Sequence, residues 1–174
     1  MARDAHKSLC SMMGLVSSGL SYFDEVTRTS PALREFEEIR LLRDEVAASY
    51  RTWEHVYELM KEQNNQWPES CSFTPEEYNR FLAFYEQALS AGQYPESRPD
   101  VSQVLELGLR MFEHCIGFCR KCLSHTGDSA EKKLLEFILC RERERHDRIL
   151  ACINRYHDLV NQLEGHPHVI LDGC

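Results

Sequence analysis

The sequence predicts an all-α fold: an antiparallel four-helix bundle made of two helical hairpins, which are joined by a long crossover carrying a short helix. Three observations support this prediction. Apolar residues recur every three or four positions along most of the chain, as on one face of a helix. No segment alternates apolar and polar residues over a length that would form a strand. A polar connection separates two pairs of helical segments, and we expect one bundle over residues 1–163 and a tail over residues 164–174.

The first hairpin is predicted to contain helices at about residues 6–27 and 31–61. Ser30 is expected to cap the second of these helices, because Pro31 follows it and proline suits the first helical position. The apolar face of the first helix consists of Leu9, Met13, Val16, Leu20 and Phe23. The apolar face of the second contains Ile39, Leu42, Val46, Trp53, Val56 and Met60.

The crossover is predicted over residues 62–99, with a short amphipathic helix at residues 75–91. Thr74 and Glu77 have the spacing of a capping box, in which each side chain bonds a backbone amide of the other residue. Gly92 is a typical residue to end such a helix.

The second hairpin is predicted to contain helices at about residues 100–124 and 129–163. Gly127 lies in the turn, and Asp128 with Glu131 forms the expected capping box of the last helix. A short turn in each hairpin and a long link between the hairpins is the connectivity of ferritin-like bundles.

Composition excludes several classes of function. The 174 residues carry a net charge of −8, which is unsuited to the phosphate backbone of a nucleic acid. Apolar runs stay far below the roughly 18 residues of a membrane span. We expect no signal peptide and a cytoplasmic location, in which most of the eight cysteines are free and pack as small apolar residues.

The second hairpin also resembles a known family. The segment from Gly108 to Leu150 reads GLRMFEHCIGFCRKCLSHTGDSAEKKLLEFILCRERERHDRIL. It is similar to the paired C and D helices of rubrerythrin-type proteins, which belong to the ferritin-like superfamily. The likeness extends over residues 8–62 and 98–163. It implies a ferritin-like bundle, in which such proteins hold a carboxylate-bridged di-iron site for peroxide or oxygen chemistry or for iron oxidation.

The metal-ligand positions implied by this resemblance are largely not retained. Glu45 and His146 stand where the family has ligands. The other four positions are occupied by Val16, Ala48, Phe112 and Arg143. We therefore expect a ferritin-fold protein with a degraded di-iron site and no cofactor. Such a protein would act as a non-catalytic binding or assembly module, either as a homo-oligomer or with a protein partner.

One alternative is a working metalloprotein with a rearranged iron site. Glu142 and His146 lie four residues apart on or near the apolar stripe of the last helix, a spacing that can chelate one metal ion. Together with Glu45 and Glu113 they are the candidate ligands, and the reaction would be peroxide reduction or iron oxidation. The charged run 141–145 is otherwise expected to form mostly a solvated face.

A second alternative is a thiol or zinc protein. Cys115, Cys119 and Cys122 share one helical face, and Cys140 would stand opposite Cys115 across the hairpin. Zinc binds such convergent thiolates tetrahedrally. The competing interpretation is that these four cysteines are small core residues between the two helices.

Overall fold

The computed structural model is all-helical over the residues it describes, which are 2–34, 36–63, 100–164 and Cys71, Glu76, Arg80, Ala83 and Tyr85. The four long helices are α1 (Ala2–Thr29), α3 (Glu37–Gln63), α4 (Val101–Leu123) and α5 (Ser129–Glu164), and a single turn, α2 (Pro31–Arg34), lies between the first two. These described parts contain no strand. The predicted all-α class with four long helices is confirmed.

The second predicted helix begins differently from the prediction of one helix over residues 31–61. The helix is interrupted at Phe36, whose amide donates to the Leu33 carbonyl (3.3 Å). This bond spans three residues instead of four, which tightens and ends α2. Leu33 is buried, while the Phe36 ring packs edge-on against Tyr156 of α5. The prediction of an uninterrupted helix is therefore wrong at this point.

Neighbouring helices run antiparallel within each hairpin and between α3 and α5. The contacts that define these directions are Asp24 with Arg43 and His6 with Tyr57 (α1–α3), His157 with Ser102 and His146 with Glu113 (α4–α5), and Glu45 with Arg148 and Thr52 with Arg145 (α3–α5).

Helices α3 and α4, in contrast, run in the same direction. Leu42 packs against Gly108, and Trp53 contacts Phe118 at a ring-centroid distance of 5.9 Å, so residue numbers increase together along both helices. The end of α3 and the start of α4 consequently lie at opposite ends of the bundle.

Two described residues of the connection between α3 and α4 contact α1. Cys71 forms a disulfide with Cys10, and the Tyr85 hydroxyl donates to the Leu15 carbonyl (2.7 Å). The predicted short helix at residues 75–91 lies largely outside the described residues, although Glu76, Arg80, Ala83 and Tyr85 are helical. Residues 165–174 of the predicted tail also lie outside them.

The core consists of apolar side chains from all four long helices. Its largest fully buried members include Trp53, Tyr57, Phe23, Phe112 and Tyr85. Among the described residues, no helix combines the length and the apolar character that a membrane crossing requires.

Candidate functional site

Charged side chains lie between α3 and α5 in the interior of the bundle. Glu142 is fully buried and Arg145 is 6% exposed, and both extend from α5 towards α3. They lie one helical turn apart, which places them on the same side of α5. The expectation that the run 141–145 is mostly a solvated face is therefore wrong for Arg145, whereas Glu142 is buried as its predicted place on or near the apolar stripe implies. It holds for Arg141, Arg143 and Glu144, which are exposed.

The Glu142 carboxyl group has hydrogen-bond partners on two helices. The Ser49 hydroxyl of α3 lies 2.9 and 3.0 Å from its two oxygens, and Arg145 Nη1 donates to Oε1 at 3.0 Å. Burial raises the pKa of Glu142 to about 7, against the opposing effects of Arg145 and Ser49. Desolvation thus outweighs the nearby positive charge, because the carboxyl group is fully buried.

The Arg145 guanidinium group connects Glu142 to α3. Its Nη2 donates to the Ala48 carbonyl (3.0 Å) and to the Thr52 hydroxyl (2.7 Å). Its Nε lies 3.7 Å from Glu45 Oε2. A cation supplied by the chain itself therefore lies between two carboxylates of the bundle interior.

Glu45 has a second cationic partner. Arg148 Nε and Nη2 donate to its two oxygens at 2.6 and 2.8 Å, which is a bidentate pair. The Glu45 side chain is 12% exposed and that of Arg148 is 50% exposed, so this pair closes the outer side of the cluster. Two carboxylates thus face two guanidinium groups, and the cluster is electrically balanced when both acids are ionised.

The other two predicted iron ligands lie elsewhere. The His146 ring is partly exposed, with Nδ1 3.0 Å from Asp147 Oδ1 and Nε2 3.8 Å from Glu113 Oε1. Glu113 itself is exposed on α4. The structure therefore places Glu45 and Glu142 in the charged cluster and His146 with Glu113 at the α4–α5 surface.

The four cysteines of the thiol alternative differ strongly in environment. Cys115 and Cys119 are fully buried, Cys122 is half-buried, and Cys140 is exposed with its thiol 3.6 Å from Glu144. Burial raises the pKa values of Cys115, Cys119 and Cys122, which keeps these side chains as neutral thiols. The interpretation as small core residues agrees with the burial of Cys115 and Cys119, and it is wrong for Cys140, which is exposed.

A different group of potential ligands lies where α1, α3 and the connection meet. Within the described part of the chain, His6, Cys10 and Cys71 form the only set of three or more His, Cys, Asp or Glu side chains whose ligand atoms all lie within 4.8 Å. His6 Nε2 is 3.4 Å from Cys10 Sγ and 3.3 Å from the Tyr57 hydroxyl. Burial and the nearby charge of Lys7 lower the pKa of His6, which favours the neutral ring.

This group was not predicted from the sequence. Most cysteines were expected to be free, which is correct for the five described cysteines of α4 and α5. It is wrong for Cys10 and Cys71, which are 61 residues apart in the sequence and are disulfide-bonded. The spacing of His6 and Cys10, four residues apart on one helical face, was the signal available in the sequence.

Comparison of the chain with protein-family models, with curated proteins and with solved structures found no match.

Proposed function

We propose that this chain is a rubrerythrin-like, ferritin-fold protein that has lost its di-iron site and acts as a non-catalytic binding or assembly module. The observation that supports this proposal most directly is the position of Arg145. Its guanidinium group lies between Glu142 and Glu45, where the two acids of the bundle interior would otherwise face a metal cation.

Charge balance explains why this arrangement disfavours iron. A di-iron site uses four carboxylates and two imidazoles to offset the charge of its metal ions. Here two carboxylates already have two guanidinium partners, Arg145 and Arg148. A metal ion entering the cluster would add positive charge to a neutral group and would have to displace the hydrogen bonds of Arg145. Apolar Val16 and Phe112 are fully buried at two further ligand positions implied by the family resemblance.

The helix directions support the ferritin-like part of the proposal. Because α3 and α4 run in the same direction, a connection along the bundle must join them, as in ferritin-like folds. Cys71 touches α1 at Cys10, and Tyr85 touches it further along, at Leu15 and Gly19. These contacts support a crossover that follows α1 towards the start of α4.

A bundle without a reactive interior acts through its surface. We propose that its partner is a second copy of the chain or another protein, that neither nucleic acid nor membrane is bound, and that the location is cytoplasmic. The net charge of −8 supports the exclusion of nucleic acid. Sedimentation velocity of the purified chain tests self-association. A monomer at all accessible concentrations would contradict the homo-oligomer.

Elemental analysis tests the absence of an iron centre. Untagged protein is purified without chelator from iron-replete cells, and iron is measured before and after aerobic addition of Fe²⁺. We expect iron well below one ion per chain and no protein-dependent oxidation of Fe²⁺. About two irons per chain, the family stoichiometry, would contradict the proposal.

Matched variants identify a rearranged iron site if iron does bind. Glu45→Gln and Glu142→Gln each remove a carboxylate of the cluster, and Glu54→Gln removes an exposed one from the same helix as Glu45. Iron that is lost in the first two variants and kept in the third would favour the alternative of an iron enzyme using Glu45 and Glu142. Iron retained in all three variants would be bound outside the cluster.

A further inference from the structure

We propose that Cys10 and Cys71, when reduced, bind a zinc ion together with His6, so that the same position carries a disulfide in the oxidised protein and a metal site in the reduced protein. This inference is independent of the proposed function, because the three ligands share no residue with the charged cluster. They lie beside Tyr57, towards the other end of α3 from Glu45.

The local structure places the ligands in a suitable arrangement. His6 and Cys10 lie four residues apart on α1, so their side chains project from one face of the helix one turn apart. Cys71 reaches the same point from the connection. Both α1 ligands are thus held by a regular helix, and the third comes from a distant part of the chain, as is usual in zinc sites that tie two segments together.

The distance between His6 and Cys10 fits tetrahedral zinc. Zinc–sulfur and zinc–nitrogen bonds of about 2.3 and 2.05 Å imply a separation of about 3.5 Å between a sulfur and a nitrogen ligand. The observed separation between Cys10 Sγ and His6 Nε2 is 3.4 Å. His6 therefore needs little movement to share a metal ion with Cys10.

Zinc requires a fourth ligand. The Tyr57 hydroxyl lies 3.3 Å from His6 Nε2, close to the separation of about 3.4 Å expected for nitrogen and oxygen ligands of one zinc ion. A water molecule that serves as the fourth ligand would be within hydrogen-bonding range of the Tyr57 hydroxyl. The site accordingly has three ligands from the chain and a fourth position beside Tyr57.

The conversion between the two states balances with a dithiol reductant. The dithiol transfers two electrons and two protons to the Cys10–Cys71 bond, becoming a disulfide itself and leaving two cysteine thiols. Zinc binding then displaces both thiol protons to solvent and gives two zinc–thiolate bonds. In a reducing compartment the metal would thus replace the covalent link between α1 and the connection.

Zinc titration of the full chain tests the proposal. The protein is reduced with a phosphine, which does not compete as a thiol ligand, and titrated with Zn²⁺ by calorimetry. Co²⁺ is used in parallel, since thiolate-to-cobalt absorption reports cysteine ligation. We expect one zinc ion per reduced chain and none at this site in the oxidised chain.

His6→Ala is the decisive variant, because a disulfide alone does not require this side chain. We expect the zinc affinity of the reduced variant to fall at least tenfold. The control is His55→Ala, which changes an exposed histidine of α3 and should leave the affinity unchanged. Circular dichroism of the oxidised variants confirms that both retain their helices.

Two results would overturn the proposal. One is a reduced wild-type chain that binds no zinc, and the other is a His6→Ala affinity equal to that of the wild type. X-ray absorption of the zinc-loaded wild type gives a measurement that needs no variant. We expect two sulfur ligands with nitrogen or oxygen completing the coordination shell, and a shell without sulfur would contradict the site.

Discussion

Glu142 carries a carboxyl group that is fully buried yet bonded to both Ser49 and Arg145. Desolvation acts on its charged form more strongly than these partners do, and its pKa rises to about 7. A residue in this position makes the stability of the fold depend on pH. The reason is that the folded chain binds a proton which the unfolded chain releases.

The direction of this dependence follows from the raised pKa. Between the ordinary value of 4.5 and about 7, the folded state holds the proton and the unfolded state does not. Stability from this group is therefore highest at low pH and decreases as pH rises through that window. Relative to Glu142→Gln, which does not titrate, we expect the wild type to lose up to about 3 kcal/mol between pH 4.5 and 7.5. Urea unfolding at a series of pH values measures the difference.

Glu144→Gln is the control for this experiment. Glu144 is exposed, and its hydrogen bond to Arg141 lowers its pKa. Its contribution therefore has the opposite sign: it is present above the ordinary pKa and is lost as pH falls. A difference between wild type and Glu142→Gln that is constant with pH would contradict the raised pKa.

Arg145 is expected to be the more sensitive member of the pair. Removing the Arg145 side chain leaves the buried Glu142 carboxylate without a cation. The Thr52 hydroxyl and the Ala48 carbonyl also lose the hydrogen bonds that Arg145 donates to them. We expect Arg145→Ala to lower the free energy of unfolding at pH 7 by about 3–5 kcal/mol. Arg143→Ala, two residues away and exposed, should change it by less than about 0.5 kcal/mol.

Chemical denaturation followed by circular dichroism compares these two arginine variants. An equal loss of unfolding free energy in both variants would show that buried Arg145 contributes no more to stability than exposed Arg143. A loss below about 1 kcal/mol for Arg145→Ala would show that Glu142 is stable as a neutral acid without its partner.

At the level of the helices, short sequence patterns predicted the features that depend on residues close together in the chain. The Asp128 cap is an example, since its carboxylate accepts the amides of Ala130 and Glu131 at 2.7 and 3.0 Å. The second half of that capping box was not predicted correctly, because Glu131 accepts from the Thr126 hydroxyl instead. The break at Phe36, whose ring packs against Tyr156 of a distant helix, was also missed.

Glycine in α4 illustrates how two helices approach each other. A methyl group at Gly108 would come within 2.2 Å of a Leu42 methyl carbon, whereas nothing lies within 4 Å of the same position at Gly117. Alanine favours a helix over glycine by about 1 kcal/mol at either site. We expect Gly108→Ala to destabilise the fold by about 1–3 kcal/mol, because Leu42 must move within a packed core.

Gly117→Ala is the matched control, with the same change in the same helix. It should stabilise the fold by about 0.5–1 kcal/mol. Thermal unfolding of both variants gives the comparison. Stabilisation by both would mean that α3 and α4 are not in close contact at Leu42.

For the whole molecule, the helical periodicity of apolar residues predicted the all-α class. It did not predict the charged cluster around Glu142 or the group formed by His6, Cys10 and Cys71. Helical spacing predicts which residues share a face, and it correctly placed Leu42, Val46 and Trp53 in the core. It does not determine which distant residue an ionisable side chain meets. Arg145 appeared to be one charge in a polar run, and only the packing of α5 on α3 shows that it is buried beside Glu45 and Thr52.

The Cys10–Cys71 link acts at the same scale, because it joins α1 to the connection between the two hairpins. It closes a loop between residues 61 positions apart, for which the chain-entropy treatment predicts a stabilisation of about 4 kcal/mol. With EDTA present to exclude metal, we expect reduction to lower the free energy of unfolding by about 2–4 kcal/mol. Urea unfolding of the oxidised and reduced chains measures this, with thiol titration confirming reduction.

Cys71→Ser should unfold identically under both conditions, whereas Cys140→Ser, which removes an exposed free thiol, should retain the full difference. An unchanged midpoint after complete reduction of the wild type would show that packing around Tyr85 and Leu15 alone holds the connection against α1.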